Sequence, residues 1–206
     1  MKTPKKLFII IILTVIAAFS SFKVSAQENV NLFKLSPFHF FISTMKIEWE
    51  HSTGKKSSVI ISPRMTALDQ DDEKVLGGGL ELGRKFYLPG KDTLKLNGFY
   101  AQLSFSYNYF SCEYSKSFKV AHSNYYWDDS TYYIHYKEQI RQAGGDFIFG
   151  HQFSFSNTFY VDMYFEVGMR MSVSSRGKDS EYRSSILDFG YSGVVPKTGI
   201  KVGLRI

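Results

Sequence analysis

The sequence predicts an all-β protein, an eight-stranded antiparallel transmembrane up-and-down β-barrel that follows a cleaved signal peptide. Three observations predict it. First, apolar and polar residues alternate from Phe159 to Met171. Phe159, Val161, Met163, Phe165, Val167, Met169 and Met171 share one face, and Tyr160, Asp162, Tyr164, Glu166, Gly168 and Arg170 the other. A soluble half-buried strand is usually about 5 to 6 residues long, whereas a strand crossing a bilayer at a tilt needs about 9 to 11, so this segment is long enough to cross. Second, the sequence closes on another such segment, Gly199 to Ile206. Third, Met1 to Lys6 carries Lys2, Lys5 and Lys6, the apolar run Leu7 to Phe19 follows, and a more polar stretch ends in Val24-Ser25-Ala26. That is the three-part layout of a secretory signal. The expected division is a signal peptide at residues 1–26 and a barrel domain at residues 27–206.

Composition narrows the function classes. The chain holds 14 Tyr and 19 Phe but 5 Pro, which suits strands better than helices. Lys2, Lys5, Lys6 and Lys23 leave with the signal, so 25 Lys+Arg against 19 Asp+Glu falls to a net charge of +2, and no argument for nucleic acid survives. Cys112 is the single cysteine, which excludes an intrachain disulfide and, far from the cleavage site, an acylated lipoprotein.

Each strand follows from its pattern. The first, Asn31 to Ile42, is interrupted by Pro37, a residue tolerated at bulges and open edges. The second, Thr44 to Ser52, sets Met45, Ile47 and Trp49 against Lys46, Glu48 and Glu50. A turn at Thr53 to Lys56 leads to the third, Ser57 to Met65, and an acidic loop, Ala67 to Lys74, to the fourth, Val75 to Leu88. Gly77-Gly78-Gly79 predicts a bulge or bend there. In the fifth, Leu96 to Phe110, Phe99, Ala101, Leu103, Phe105, Tyr107 and Tyr109 oppose Gln102, Ser104, Ser106 and Asn108. The sixth ends near Phe153, and its pattern leaves the start open, with Thr131 as the earliest position; the seventh and eighth are the two segments above. Short connections follow strands two, four and six, and longer ones, Ser111 to Tyr136 and Ser172 to Lys197, follow five and seven, as expected of a barrel with both ends in the periplasm.

Turning every polar face inward gathers Lys46, Glu48, Glu50, Arg64, Glu81, Lys85, Asp162, Glu166, Arg170, Lys201 and Arg205 in one lumen. An eight-stranded barrel is wide enough only for its own side chains, so these charges are expected to form an ion-pair network rather than a conducting pore. Arg84 and His51 fall in the lipid-facing phase close to strand ends, where an outward charge costs about 0 to 1 kcal/mol against about 2 to 4 at the midplane. Trp49, Phe86, Tyr107, Tyr109 and Tyr160 are placed where aromatic girdles sit.

The segment after the fifth strand is rich in aromatics, with Tyr125, Tyr126, Trp127, Tyr132, Tyr133 and Tyr136 as candidates for surface binding. The competing reading is that strands five and six extend past the bilayer as a hairpin, its rings packing across strands. No cofactor and no metal site is predicted: the five histidines are dispersed, and the acidic run Asp69 to Glu73 lacks the glycine and terminal glutamate of a calcium loop.

The strand Met45-Lys46-Ile47-Glu48-Trp49-Glu50-His51 with Gly54-Lys55, the strand end Gly83-Arg84-Lys85-Phe86-Tyr87 and the closing Gly199-Ile200-Lys201-Val202-Gly203-Leu204-Arg205-Ile206 resemble small outer-membrane β-barrel proteins of Gram-negative bacteria, broadly OmpA/OmpX-like. The resemblance implies outer-membrane localisation, insertion by the barrel-assembly machinery, contact with outer-membrane lipid and a monomeric, non-enzymatic barrel. The final strand departs from the family in ending on Ile206 rather than an aromatic. Lipid A deacylases of this size carry a His-x-Ser pair, whereas here His122 directly precedes Ser123 and His151 precedes Ser154 by three. The expected role is therefore structural, or binding of an extracellular protein or glycan through long outer loops. The alternatives are a lipid A-modifying enzyme and a soluble periplasmic lipocalin-like barrel.

Overall fold

A computed structural model describes residues 30–54, 56–70, 73–88, 96–120, 130–177, 180, 182 and 185–206. The segment expected to be a signal peptide and the surface candidates Tyr125, Tyr126 and Trp127 lie outside the described residues.

Period-2 patterning yields eight strands: β1 (Asn31–Leu35), β2 (Thr44–Ser52), β3 (Ser57–Gln70), β4 (Glu73–Tyr87), β5 (Gly98–Val120), β6 (Ser130–Ser154), β7 (Phe159–Ser174) and β8 (Gly193–Arg205). Each pairs antiparallel with its neighbours, and β8 returns to β1 to close a barrel. One end carries the links β2–β3, β4–β5 and β6–β7 and is termed the turn end. The other carries β3–β4, β5–β6 and β7–β8 and is termed the hairpin end.

The burial pattern inverts that of a soluble barrel. In β7 exposed and buried residues alternate, with Met163, Phe165, Val167 and Met169 exposed and Asp162, Tyr164, Glu166 and Arg170 buried. The same holds on β5, where Phe105 is 66% exposed while Gln102 and Ser104 are at 0%. A band of Met65, Leu80, Leu82, Leu103, Phe105, Phe147, Phe149 and Phe165 therefore faces outward around the barrel, far larger than the apolar patches soluble monomers expose.

Several expected elements differ. The first strand stops at Leu35, and Pro37–Ile42 forms a 3-10 helix, because proline at its start has a pre-set φ and no N–H to give to a ladder. Ser43 caps it at φ 51°, its N–H donating to Phe40 O at 3.0 Å. No bulge occurs at Gly77 to Gly79: the registers Thr66↔Gly77 and Gly77↔Phe110 run without a break to Arg64↔Gly79 and Gly79↔Asn108. Of the expected acidic loop, Ala67 to Gln70 belong to β3 and Glu73 and Lys74 to β4, which stay paired to Gln70↔Glu73, and β5 and β6 stay paired to Val120↔Ser130, so most of Ser111 to Tyr136 is strand. Leu96 is not strand; at φ 58° it turns beneath the barrel and is 2% exposed. Tyr160, expected in a girdle, is 2% exposed and faces the lumen.

The glycines have a steric role. Gly203 pairs with Lys34, Gly199 and Gly150 with Tyr164, Gly150 with Tyr100, Gly79 with Asn108 and Gly144 with Arg170. Each lies opposite a large inward side chain that a Cβ would strike: a Cβ on Gly203 would come within 2.6 Å of Lys34 Cγ, and one on Gly144 within 2.6 Å of Arg170 Nη1. A narrow barrel fits its interior by such small-against-large pairing.

Candidate functional site

The lumen is built in layers. At the turn end Val30, Leu32, Leu96, Ile148, Tyr87, Tyr100, Tyr160 and Tyr164 form an apolar and aromatic plug. Directly above it lies a cluster of three lysines and three carboxylates. Lys34 Nζ stands 2.5 Å from Glu50, 3.0 Å from Asp162 and 3.2 Å from Glu48. Lys85 Nζ stands 3.0 Å from Asp162 and 3.3 Å from Glu50, and Lys201 Nζ 2.5 Å from Glu48. All six side chains are at most 1% exposed. Neutral donors complete the carboxylate shells: Tyr87 Oη donates to Glu50 at 2.7 Å, Tyr100 Oη to Asp162 at 2.5 Å, and Ser58 Oγ to Glu50. Lys85 also sits 4.0 Å from the centroid of Tyr100 and Lys201 4.7 Å from that of Tyr164. Charge sums to zero within this cluster, the condition under which ions are tolerated away from water.

A second cluster lies nearer the hairpin end. Glu81 takes Arg64 Nη2 at 2.5 Å and Lys46 Nζ at 2.8 Å; Arg170 Nη2 reaches Asp146 at 2.6 Å and Glu166 at 3.3 Å; Lys197 Nζ reaches Glu166 at 3.0 Å. Four cations face three carboxylates here. Ten of the eleven residues expected in the lumen thus fall into these two clusters. The exception is Arg205, whose inward phase places it at the rim: its last pair is with Leu32, and it is exposed.

Three members were absent from the expected set. Lys34 lies on the strand that Pro37 interrupts. Lys197 follows Pro196 and precedes the eighth strand as first bounded. Asp146 lies on β6, where the inward face reads Gln142, Gly144, Asp146, Ile148, Gly150 and Gln152 and so lacks an unbroken polar run. The outward phase of Phe147 and Phe149 was the signal that would have placed Asp146 inside.

Above the second cluster Val75, Phe110, Cys112, Tyr114, Ile140 and Tyr182 pack against Leu68, Tyr136 and Phe189, and among them the buried Glu138 accepts a hydrogen bond from Ser174 Oγ. Within residues 185–191, Phe189 packs on this layer and Gln142 Nε2 donates to Phe189 O at 2.8 Å, while Ser185 to Leu187 are exposed. Between this roof and Arg64, Arg170 and Lys197 is a cavity of about 400 Å³. Of the surface candidates, Tyr133 is 64% exposed, whereas Tyr136 stacks on Tyr114 with centroids 5.3 Å apart and has the Arg176 guanidinium 4.2 Å from its own ring centroid. Tyr132 lies on β6, opposite Phe118.

Comparison with protein-family models, with curated proteins and with solved structures finds no match. The class the fold defines, a small closed antiparallel β-barrel of eight strands, is established from its own topology.

Proposed function

We propose that the chain is a non-enzymatic outer-membrane barrel with a plugged polar lumen, which presents the β5–β6 hairpin at the cell surface to bind an extracellular protein or glycan. The observation that carries this reading is the inversion of burial: an outward apolar band around a closed antiparallel ladder, enclosing charged side chains at 0 to 2% exposure such as Glu48, Glu50, Lys85, Asp162 and Lys201. Hydrocarbon tolerates a closed ladder because its strands pair their backbone groups with one another. Water does not favour so large an apolar band. Among the described residues the apolar plug and the neutral ion cluster fill the turn end of the barrel, which supports a plugged lumen over a conducting one.

The binding part of the reading rests on the hairpin. β4 leaves β5 at Glu73↔Tyr114 and β7 leaves β6 at Ile140↔Ser174, yet β5 and β6 continue to Val120↔Ser130. Among the described residues, Ser117 to Val120 and Ser130 to Glu138 therefore have a strand partner on one side only. Six further residues extend the hairpin by about 20 Å at about 3.3 Å per residue. Free strand edges are docking sites for strand addition, and Tyr133 and Ile134 add exposed apolar surface beside them. The interior argues against a lipocalin-like carrier, because its centre is filled by ion pairs rather than apolar walls.

The test displays the full chain on cells, alongside a variant in which Ser115 to Ile134 is replaced by a four-residue turn, and screens both against extracellular-matrix proteins and glycans. A ligand captured by the full chain and lost by the trimmed barrel supports the reading. Equal capture by both, or none by either, contradicts it.

A further inference from the structure

We infer that the cavity below the roof is a binding site for a single-chain anionic amphiphile, a fatty-acid-like carboxylate, with access through a notch in the barrel wall beside β8. This goes beyond the surface-binding reading and does not depend on it.

The notch follows from the shortness of β1. The closing seam holds four residue pairs, Leu32↔Arg205 to Leu35↔Val202. From Gly193 to Lys201, β8 pairs with β7 on one side and, among the described residues, has no strand partner on the other. The 3-10 helix Pro37–Ile42 stands there instead, in contact with β2 and β8. In β8, Val195 and Lys197 face inward and Pro196 and Thr198 outward, as their exposure shows. All four line the cavity, together with Phe38 of the 3-10 helix. A space bounded by both faces of one strand wraps around that strand's free edge, so the cavity communicates with the outer apolar surface.

The chemistry of the walls selects the occupant. Three cations, Arg64, Arg170 and Lys197, border the cavity, while their partners Glu81, Asp146 and Glu166 do not. The bordering anion, Asp188, is in the roof, where it accepts a hydrogen bond from Ser185 N at 2.6 Å. With Asp188 counted, four cations and four carboxylates surround the cavity, so the pull on an anion is local to the wall of Arg64, Arg170 and Lys197 rather than a net excess of charge. Among the described residues the buried Arg64 Nε and His39 Nδ1 have no hydrogen-bond partner, and neither do the buried oxygens Glu81 Oε1 and Asn108 Oδ1. A carboxylate placed at this wall would meet the charged heads of Arg64, Arg170 and Lys197. Phe38, Phe110, Ile186, Leu187, Phe189 and Val195 give the wall an apolar side that suits an acyl chain, while Thr44, Thr66, Asn108 and Gln142 line it with polar groups. A volume of about 400 Å³ holds one such chain and not two, which selects a free fatty acid over a diacyl phospholipid.

The test titrates the full chain, folded in detergent, with decanoate labelled with 13C at its carboxyl carbon, and follows the carboxyl resonance. Wild type is expected to give a protein-bound resonance that saturates at one per chain. Unlabelled decanoate should displace it; decyltrimethylammonium and phosphatidylglycerol should not. Lys197→Met removes one charge-assisted contact and should weaken binding by about ten-fold or more. Val195→Trp fills the cavity and should abolish binding, with folding of both variants verified by the altered migration of the unboiled protein. No saturable resonance in wild type, undiminished binding by a folded Val195→Trp, or displacement by phosphatidylglycerol would overturn the inference.

Discussion

Removing one charge from the turn-end cluster should do more damage than removing two. Lys201 and Glu48 lie 2.5 Å apart, both at 0% exposure, within three lysines and three carboxylates. Lys201→Met leaves two lysines to three carboxylates. Glu48 keeps Lys34 at 3.2 Å and Lys85 at 3.8 Å, so its charge is only partly compensated. Orphaning one partner of a buried ion pair typically costs about 3 to 5 kcal/mol, and the two remaining lysines favour the low end, about 3 kcal/mol. Glu48→Gln is expected to cost a similar amount through the excess cation. The double variant restores two against two and forfeits mainly hydrogen bonds, at about 1 kcal/mol. Equilibrium urea unfolding in detergent micelles, followed by tryptophan emission and by the fraction of faster-migrating unboiled protein, measures all three. A double variant less stable than either single variant, near the sum of their losses, would refute the account of a charge-balanced cluster.

Other consequences test other levels of the structure. Phe105→Arg places a cation in the middle of the outward apolar face and should destabilise the barrel in a bilayer by about 2 to 4 kcal/mol, measured by the same unfolding assay in lipid vesicles; no loss would show that this face does not meet hydrocarbon. Gly77→Ala sets a Cβ 2.8 Å from Tyr109 O and against the Phe110 ring, an overpacking that should cost about 1 to 3 kcal/mol, whereas a bulge at Gly77 to Gly79 would have accommodated it. On the projecting hairpin, Lys137 donates to Glu113 at 2.7 Å, and this bond, with the nearby ammonium charge, holds the Glu113 carboxyl below the ordinary carboxylate range. A lowered folded-state value means that the pair's contribution is present above the unfolded-state value and lost as pH falls through the folded one. The carboxyl carbon resonance of Glu113 should therefore titrate at a lower pH than in Lys137→Met.

Much of the fold was legible because it depends on period-2 alternation. β2 begins at Thr44 and ends at Ser52 as its pattern requires, and β7 alternates from Phe159 onward because one face meets a medium unlike the other. What the alternation could not show was where pairing stops. β5 and β6 run past Phe110 through Cys112 and Tyr114, where polar and aromatic residues on both faces erase the apolar signal while the ladder continues. The glycine run read as a bulge because glycine weakens a strand locally. Its true cause, clearance for Asn108 and Phe110, is non-local and appears only when β4 is set beside β5. For the lumen, the phase of each strand named most of the ion pairs. Lys34, Asp146 and Lys197 escaped it because proline, glycine or an inward isoleucine broke the pattern around them. The layering into plug, neutral cluster, cation-rich cluster and cavity depends on strand stagger, which a one-dimensional pattern does not carry.

The measurement that bears most directly on the central claim is cell fractionation followed by cold detergent electrophoresis of the full chain. Recovery in the outer membrane, with an unboiled band that migrates differently from the boiled one, is the predicted result and corresponds to a closed barrel whose apolar face meets lipid. Recovery as a soluble periplasmic protein whose migration is unchanged by boiling would contradict it.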